Sequence, residues 1–121
     1  MSVKVDLDQL ATALADFAFS YLVTVGDDYR AHTVAVAPVL QNGVLDIGPV
    51  GNSTRRNADS HADVTLVWPP REPGGYTLIV DGVATVTGDG LTVDPRGAVL
   101  HRPAPSESVP ASGCGDDCVP L

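Results

Sequence analysis

The chain is short of aromatic side chains, and this absence limits what its core can be made of. Phe, Trp and Tyr make up 5% of the 121 residues, whereas apolar residues together reach 44% and charged residues 18%. These proportions are typical of a globular chain and argue against a disordered one. The length of the chain predicts one domain. Because aromatic residues are few, we expect an aliphatic core in which Val, Leu and Ala dominate.

Positive charge is also scarce. Lys and Arg number 7 against 15 Asp and Glu, so the formal net charge is -8. Nonspecific nucleic-acid binding depends on Lys and Arg that neutralise phosphates, and the same balance argues against docking on an anionic membrane. The simplest explanation of the acidic excess is that a large net charge keeps the protein soluble. The seven cations, which stand out against this background, are Lys4, Arg30, Arg55, Arg56, Arg71, Arg96 and Arg102.

Long hydrophobic runs are absent, and there are only two cysteines. Residues 1–8 lack the apolar stretch of a secretory signal, and no segment approaches the roughly 20 apolar residues of a membrane span. These absences predict a cytoplasmic protein. In a reducing cytosol Cys114 and Cys118 are expected as free thiols, with a small disulfide loop or a thiolate metal site as alternatives. Zinc normally takes four ligands, so we predict no metal site.

The pattern of apolar residues predicts a mostly β fold. Asn42-Gly43 between two apolar runs is a strong hairpin signal, because both residues tolerate positive φ. Apolar residues at helical spacing predict a helix over 6–17 that Asp6 can cap, and a second, short helix is expected to start at Asn52 or Ser53. The six predicted strands are Tyr21–Val25, Arg30–Leu40, Val44–Val50, Val64–Trp68, Tyr76–Thr87 and Leu91–His101.

Six antiparallel strands around an aliphatic interior suit a closed or nearly closed barrel. An open sandwich has the same periodicity, so the pattern alone leaves both possible. Pro38 requires a bulge or an edge because it has no N–H, and Gly82 inside a strand indicates a bulge or a close backbone approach. The Pro-, Ser- and Gly-rich stretch 102–121 predicts an extended tail, which leaves residues 1–101 as the domain.

The polar segment Gly51–Asn57 carries the clearest functional signal. A turn of small residues that leads into a helix presents free backbone N–H groups, and the adjacent guanidinium groups of Arg55 and Arg56 suit a phosphate. The alternative is a solvated turn in which these arginines pair with Asp59 and Asp63. The residues alone leave both interpretations open.

The order of these features resembles the pyridoxamine 5′-phosphate oxidase-like, FMN-binding split-barrel family. In that family a basic turn precedes Asn, a few polar residues and an apolar strand, and Arg56-Asn57-Ala58 followed by Asp63–Leu66 has this spacing. The segment Ile79–Ala84 resembles the family's late strand with its Gly-x-Ala. No single motif is diagnostic, and it is their order over residues 8–101 that carries the resemblance.

The resemblance implies a homodimeric, six-stranded antiparallel split β-barrel that holds FMN at the subunit interface, with a deazaflavin as the alternative cofactor. By position, Arg30–Ala35 would lie along the flavin, Asn52–Arg56 would hold its phosphate, and Thr77 would reach the cofactor. His32, on the same strand, either faces this ligand or is satisfied by a neighbour. The implied cofactor-binding residues are Arg30, His32, Thr33, Val34, Asn52, Ser53, Thr54, Arg55, Arg56 and Thr77.

The chain departs from the family pattern in two ways. Thr54 stands where the family's turn has a lysine, so the charge partner of the phosphate must be Arg55 or Arg56. The C-terminal Arg and Trp features that bind the pyridoxal substrate have no counterpart, which argues against vitamin B6 oxidation. The resemblance therefore implies a flavin-dependent oxidoreductase that acts on an unidentified small molecule. The alternative is a non-enzymatic binder of flavin or deazaflavin, or a cofactor-free barrel. No catalytic residue is assigned, and His61 and His101 are given no role.

Overall fold

The computed structural model describes residues 1–104, which form a curled antiparallel sheet and two short α-helices. The predictions for Cys114 and Cys118 concern residues outside this range. A 3-10 turn, Leu7–Gln9, precedes α1 (Leu10–Leu14), and α2 (Asn52–Ser60) follows the fifth strand. The strands are β1 (Ser2–Val5), β2 (Ser20–Val25), β3 (Ala31–Val36), β4 (Val39–Gln41), β5 (Val44–Pro49), β6 (Asp63–Trp68), β7 (Thr77–Thr87) and β8 (Gly90–His101).

The sheet curls because its two edge strands are consecutive in the sequence. The strand order is β3-β2-β6-β7-β8-β5-β4, with β1 added beside β8. β3 and β4 lie at opposite ends of this order but are joined by Ala37 and Pro38 alone, a connection that reaches about 11 Å at most. The two edges therefore lie close together, and the sheet forms a split barrel. The predicted fold class is confirmed.

The predicted count of six strands is wrong, since the described residues form eight. The single strand expected over Arg30–Leu40 is divided into β3 and β4 because Pro38 has no N–H to donate to a ladder. β1 was not predicted: it is four residues long and three of them are exposed, so it offers no apolar alternation to recognise.

The first helix is shorter than the predicted span 6–17. Asp6 makes no side-chain capping hydrogen bond. The N–H groups of Asp16 and Phe17 donate to carbonyl oxygens three residues earlier, at 3.2 and 3.0 Å, and this tighter last turn ends the helix. Leu10 is buried and Phe17 packs against the core, so the short helix still covers one end of the barrel.

The core is aliphatic, and Trp68 is the one buried aromatic side chain among the described residues. Trp68 is 3% exposed and packs within the core. The described part of the chain contains no helix long and apolar enough to span a bilayer. The buried apolar residues are Val5, Leu10, Leu22, Leu45, Ile47, Ala58, Val64, Leu66, Trp68, Leu78, Val80, Ala84, Leu91, Val93 and Ala98.

Gly82 allows β7 and β8 to approach closely. The register between the two strands shifts at this residue, and a Cβ atom there would lie 2.6 Å from the carbonyl oxygen of Asp94 and 2.6 Å from Val93 Cγ1. No side chain fits that space, because real Cβ atoms do not approach other heavy atoms so closely. The predicted bulge or close approach at Gly82 is confirmed.

Candidate functional site

The first turn of α2 offers backbone donors to an anion. The helix begins at Asn52, as predicted, directly after Gly51, and no side chain caps it. The N–H of Arg55 donates to the carbonyl oxygen of Gly51 at 3.1 Å. The N–H groups of Asn52, Ser53 and Thr54 precede this first helical hydrogen bond and have no acceptor within the helix. Together with the helix dipole, they make this end of α2 suitable for a phosphate or a carboxylate.

The Arg55 guanidinium is engaged in hydrogen bonds with other residues of the chain. Its Nη1 atom donates to the carbonyl oxygen of Val50 and, at 3.0 Å, to that of Asp89, and its Nη2 atom donates to Asn52 Oδ1. The Arg55 guanidinium therefore fastens the start of α2 to the turn between β7 and β8. Asn52, another predicted phosphate ligand, is held in the same contact.

Arg56 differs from its neighbour in being exposed. Among the described residues it makes no ion pair, and neither arginine pairs with Asp59 or Asp63. The pairing offered as the alternative interpretation of this turn is therefore not the arrangement found. The Arg56 guanidinium is the one of the two that is available to a ligand.

A cavity of about 410 Å³ lies between α2 and the turn that joins β2 to β3. Four of the predicted cofactor-binding residues line it: Arg30, His32, Ser53 and Arg56. The fold thus brings together residues that lie more than twenty positions apart in the sequence. The full lining consists of Gly26, Asp27, Asp28, Arg30, Ala31, His32, Ser53, Arg56, Asn57 and Ser60.

The other predicted residues lie outside this lining. Thr33 is exposed, whereas Val34 packs against the core from the opposite face of β3, because successive strand residues point to opposite sides. Thr54 is 1% exposed, on the inner face of α2. Thr77 starts β7, whereas Val83, six residues later, pairs with the start of β6 just after α2; that distance is about 20 Å along a strand. Within one subunit, the fold does not bring Thr77 to the cavity.

Sequence reasoning missed part of the cavity lining on both walls. Asp27 and Asp28 belong to the β2–β3 turn, and Asn57 and Ser60 lie on the later part of α2. No local pattern joins the two segments, because about thirty residues separate them. Asp28 Oδ1 accepts a hydrogen bond from the N–H of Arg30 at 3.0 Å, a turn contact typical of Asp.

Two side-chain hydrogen bonds connect the walls. Asn57 Nδ2 donates to Thr24 Oγ1 at 3.2 Å, and His61 Nε2 lies 2.9 Å from Asp27 Oδ1. His61, which sequence analysis left without a role, therefore anchors the β2–β3 turn to the end of α2. The lining combines two arginines with two aspartates, so its fixed charges balance.

A second cavity, of about 310 Å³, contains none of the predicted site residues. It is mostly apolar, with a few charged groups among its walls. Within residues 1–104, no group of three or more His, Cys, Asp or Glu side chains is placed to hold a metal ion. The lining of this second cavity is Ala13, Asp16, Phe17, Pro70, Arg71, Glu72, Gly75, Tyr76 and Leu100.

The different burial of two neighbouring hydroxyl groups leads to a prediction. Ser53 is exposed on the cavity wall, whereas Thr54 is buried. We expect Thr54→Val to leave ligand affinity unchanged and to alter the free energy of unfolding by less than about 1 kcal/mol. Ser53→Ala should weaken binding of a phosphorylated ligand about threefold to tenfold, as one hydrogen bond is lost. Parallel titrations of the two variants measure this, and a loss of affinity confined to Thr54→Val would contradict the geometry.

Sequence comparison finds close relatives but no matching family model. The chain is 46% identical over 133 aligned positions to the uncharacterized proteins Mb0449c of Mycobacterium bovis and MT0457 of Mycobacterium tuberculosis. Each alignment covers 96% of this chain and 94% of the relative. Identity at this level over nearly the whole length places the three chains in one family.

Structure comparison finds the same barrel in several solved proteins. A candidate pyridoxamine 5′-phosphate oxidase from Listeria innocua matches with a TM-score of 0.65 and 14% identity, over 78% of this chain and 96% of that one. An FAD binding protein from Mycobacterium smegmatis matches with a TM-score of 0.60 and 20% identity, over 84% and 100%. A protein named F420 reductase matches with a TM-score of 0.54 and 16% identity, over 70% and 90%. These likenesses establish the fold.

Proposed function

Because the chain belongs to one family with the two mycobacterial proteins and has the pyridoxamine 5′-phosphate oxidase-like split-barrel fold, we propose that it binds a flavin-type cofactor, FMN in the first place. In this proposal the protein is a homodimeric oxidoreductase that acts on a small molecule. The single observation that carries the proposal is the cavity beside α2, where Arg30, His32, Ser53 and Arg56 converge.

The residues present fit a phosphate group. The uncapped first turn of α2 supplies backbone donors, Ser53 adds a hydroxyl, and Arg56 adds a permanent charge that forms no ion pair among the described residues. A guanidinium and helix N–H groups form charge-assisted hydrogen bonds with phosphate oxygens. Arg55 supports the site indirectly, since it holds the start of α2 in place.

The size and charge of the cavity favour a cofactor with one phosphate. Its volume of about 410 Å³ lies within the usual range for small-molecule sites. Asp27 and Asp28 border the same space and disfavour additional anionic groups near the turn. FMN carries a single phosphate, whereas FAD and the deazaflavin F420 are larger and bear more negative charge. Fold neighbours named as an FAD binding protein and an F420 reductase make these two the alternatives to test.

The chemistry in this proposal divides between cofactor and protein. A bound flavin would supply hydride transfer, and the chain would supply binding, orientation and shelter from water. His32 places an imidazole in the cavity wall, where it can donate or accept a hydrogen bond. Arg56 would hold the phosphate end and so fix the position of the rest of the ligand.

The outer face of the sheet supports the homodimer. Cross-strand pairing aligns five apolar residues in one row across five strands, and none of them is buried. Tyr21, the second residue of the row, is 39% exposed. Exposed apolar surface arranged in this way is typical of protein–protein contacts. The row consists of Ala35, Tyr21, Val67, Ile79 and Val99.

Titration of the purified protein with FMN, FAD, riboflavin and F420 tests the proposal. We expect FMN to bind with a Kd in the micromolar range or below, to lose fluorescence on binding and to raise Tm. Riboflavin, which lacks the phosphate, should bind at least about tenfold more weakly. Light scattering should give a mass near twice the 12.5 kDa of one chain.

Three other outcomes would contradict all or part of this proposal. Equal affinity for FMN and riboflavin would show that no phosphate site exists at α2. Failure of every flavin and deazaflavin to bind would refute the proposed function. Binding without turnover by nicotinamide or reduced deazaflavin donors would identify a cofactor-binding protein that is not an oxidoreductase.

A further inference from the structure

Tyr29 has an unfavourable backbone conformation and an unfavourable environment for its ring. Its φ is 63°, which lies in the left-handed region that is costly for a bulky residue. The residue is 84% exposed, more than any other large hydrophobic residue in the described part of the chain. The ring therefore contributes little burial to the fold. Residues held in sparsely populated conformations cluster at ligand sites, so Tyr29 is a candidate for contact with a ligand.

The β2–β3 turn explains the backbone of Tyr29 but not its ring. The N–H of Tyr29 donates to the Gly26 carbonyl oxygen at 2.9 Å, and the N–H of Gly26 donates to the Arg30 carbonyl oxygen at 3.0 Å. A three-residue hairpin loop of this kind ends on a left-handed residue, a position that favours glycine. Asparagine also adopts this conformation at low cost. The turn itself therefore gives no reason for an aromatic side chain at this position.

The Tyr29 ring borders the opening of the cavity beside α2. Tyr29 is not part of the lining, but Asp28 and Arg30, its neighbours on both sides, are. The ring centroid lies 6.3 Å from that of His61, the residue directly after α2, and the two ring planes make an angle of 46°. Because the cavity lies between the turn and α2, Tyr29 stands at the end of the cavity where α2 ends.

The polar face of α2 connects the two ends of this cavity. Ser53, Asn57 and Ser60 line the cavity, and their spacing of four and three residues places them on one side of the helix. From Ser53 to His61 the helix rises about 12 Å. An anion at the first turn of α2 and a ring at Tyr29 would thus be joined by a polar linker. This arrangement suits a phosphorylated ligand that carries a planar ring at its other end.

We propose that Tyr29 is a ligand-binding residue whose ring stacks on the planar ring of such a ligand, while the ligand's phosphate lies at the first turn of α2. The inference rests on the proposed function in taking this ring to be the isoalloxazine of FMN. Aromatic rings interact favourably when stacked with an offset or edge to face. The hydrogen bonds of the turn and the contact between Asp27 and His61 hold Tyr29 in place before binding, which lowers the cost of ordering it.

Titration of the native protein, Tyr29→Asn and Tyr29→Phe with FMN tests the proposal. Asparagine removes the ring and keeps the left-handed turn, so the Kd for FMN should rise about fivefold to fiftyfold. Phenylalanine keeps the ring and is the matched control, with a Kd within about threefold of the native value. Riboflavin carries the same ring without the phosphate, so Tyr29→Asn should weaken its binding by a similar factor. Native FMN affinity in Tyr29→Asn would overturn the inference.

Measurements on the ligand-free protein separate ligand contact from a structural role. The Tm of Tyr29→Asn should equal or exceed the native value, because asparagine tolerates the left-handed conformation better and little burial is lost. A fall in Tm of more than about 3 °C would assign the ring to the fold and overturn the inference. The mass from light scattering should be the same in both proteins. A smaller mass for Tyr29→Asn would assign the ring to a subunit contact, which also overturns it.

The outcomes distinguish this inference from the proposed function. If FMN binds the native protein and Tyr29→Asn equally, the ring contact is wrong and the proposed function is unaffected. If FMN does not bind, both proteins are titrated with AMP, which also joins a planar ring to one phosphate. Weaker binding of AMP to Tyr29→Asn would then support the ring contact although the proposed cofactor is wrong. Equal binding of AMP, or no binding of either compound, overturns the inference.

Discussion

Replacing Gly82 by alanine is expected to lower the free energy of unfolding by about 3 kcal/mol. The new Cβ atom would lie 2.6 Å from the Asp94 carbonyl oxygen and from Val93 Cγ1. A backbone carbonyl cannot turn away without disturbing the pairing of β7 with β8, so the strands must separate. In a chain of this length the loss corresponds to a fall in Tm of about 10 °C. Urea denaturation, followed by the fluorescence of the buried Trp68, measures it.

Gly97→Ala, on the neighbouring strand β8, provides the control. A Cβ atom at Gly97 would meet nothing within 4 Å, so the free energy of unfolding should change by less than about 0.5 kcal/mol. If Gly82→Ala unfolded at the native midpoint, the close approach of β7 and β8 described here would be incorrect. If both variants lost the same stability, the cause would be a general cost of replacing glycine by alanine in β7 and β8.

Arg56→Ala is expected to weaken FMN binding by about tenfold to a hundredfold and to leave Tm unchanged. The reason is that Arg56 faces the cavity and makes no ion pair among the described residues. Arg55→Ala should lower the free energy of unfolding by about 1–2 kcal/mol, because it removes the donors to the Val50 and Asp89 carbonyl oxygens. FMN titration and thermal unfolding of both variants measure the two effects.

Arg96→Ala controls for the loss of one positive charge. Arg96 lies on β8 and contacts Asp94 at 3.2 Å on the surface, where exposed ion pairs contribute little. Its removal should leave FMN affinity and Tm unchanged. A loss of affinity in Arg55→Ala without loss of stability, together with native affinity in Arg56→Ala, would reverse the assignment of the two arginines.

Features set by local chain geometry could be predicted from the sequence. The Asn42-Gly43 hairpin follows from the tolerance of these residues for positive φ, and the structure gives them φ values of 53° and 79°. The start of α2 at Asn52 is local as well, since a small-residue turn and a helix N-terminus are neighbours in sequence. The aliphatic core follows from composition.

Features set by tertiary contacts could not be predicted. The sequence pattern does not distinguish Arg55 from Arg56, because the contacts of Arg55 depend on the folded arrangement of Val50, Asn52 and Asp89, the last more than thirty positions later. The cavity wall formed by Asp27 and Asp28 faces α2 only once the sheet has curled. The role of His61 depends on the same long-range placement. Sequence reasoning therefore named residues on both walls of the cavity, and the fold supplied the rest of its lining.

The break between β3 and β4 at Pro38 also affects how another β-rich chain can pair with the sheet. β3 is an edge strand, and an unpaired edge can recruit a foreign strand, which is the first step toward fibrils. Any strand added along β3 would have to stop at Val36, because Pro38 offers no N–H and the chain there passes to the opposite edge of the sheet. The connection that closes the barrel thus also limits templated growth along β3 to six residues.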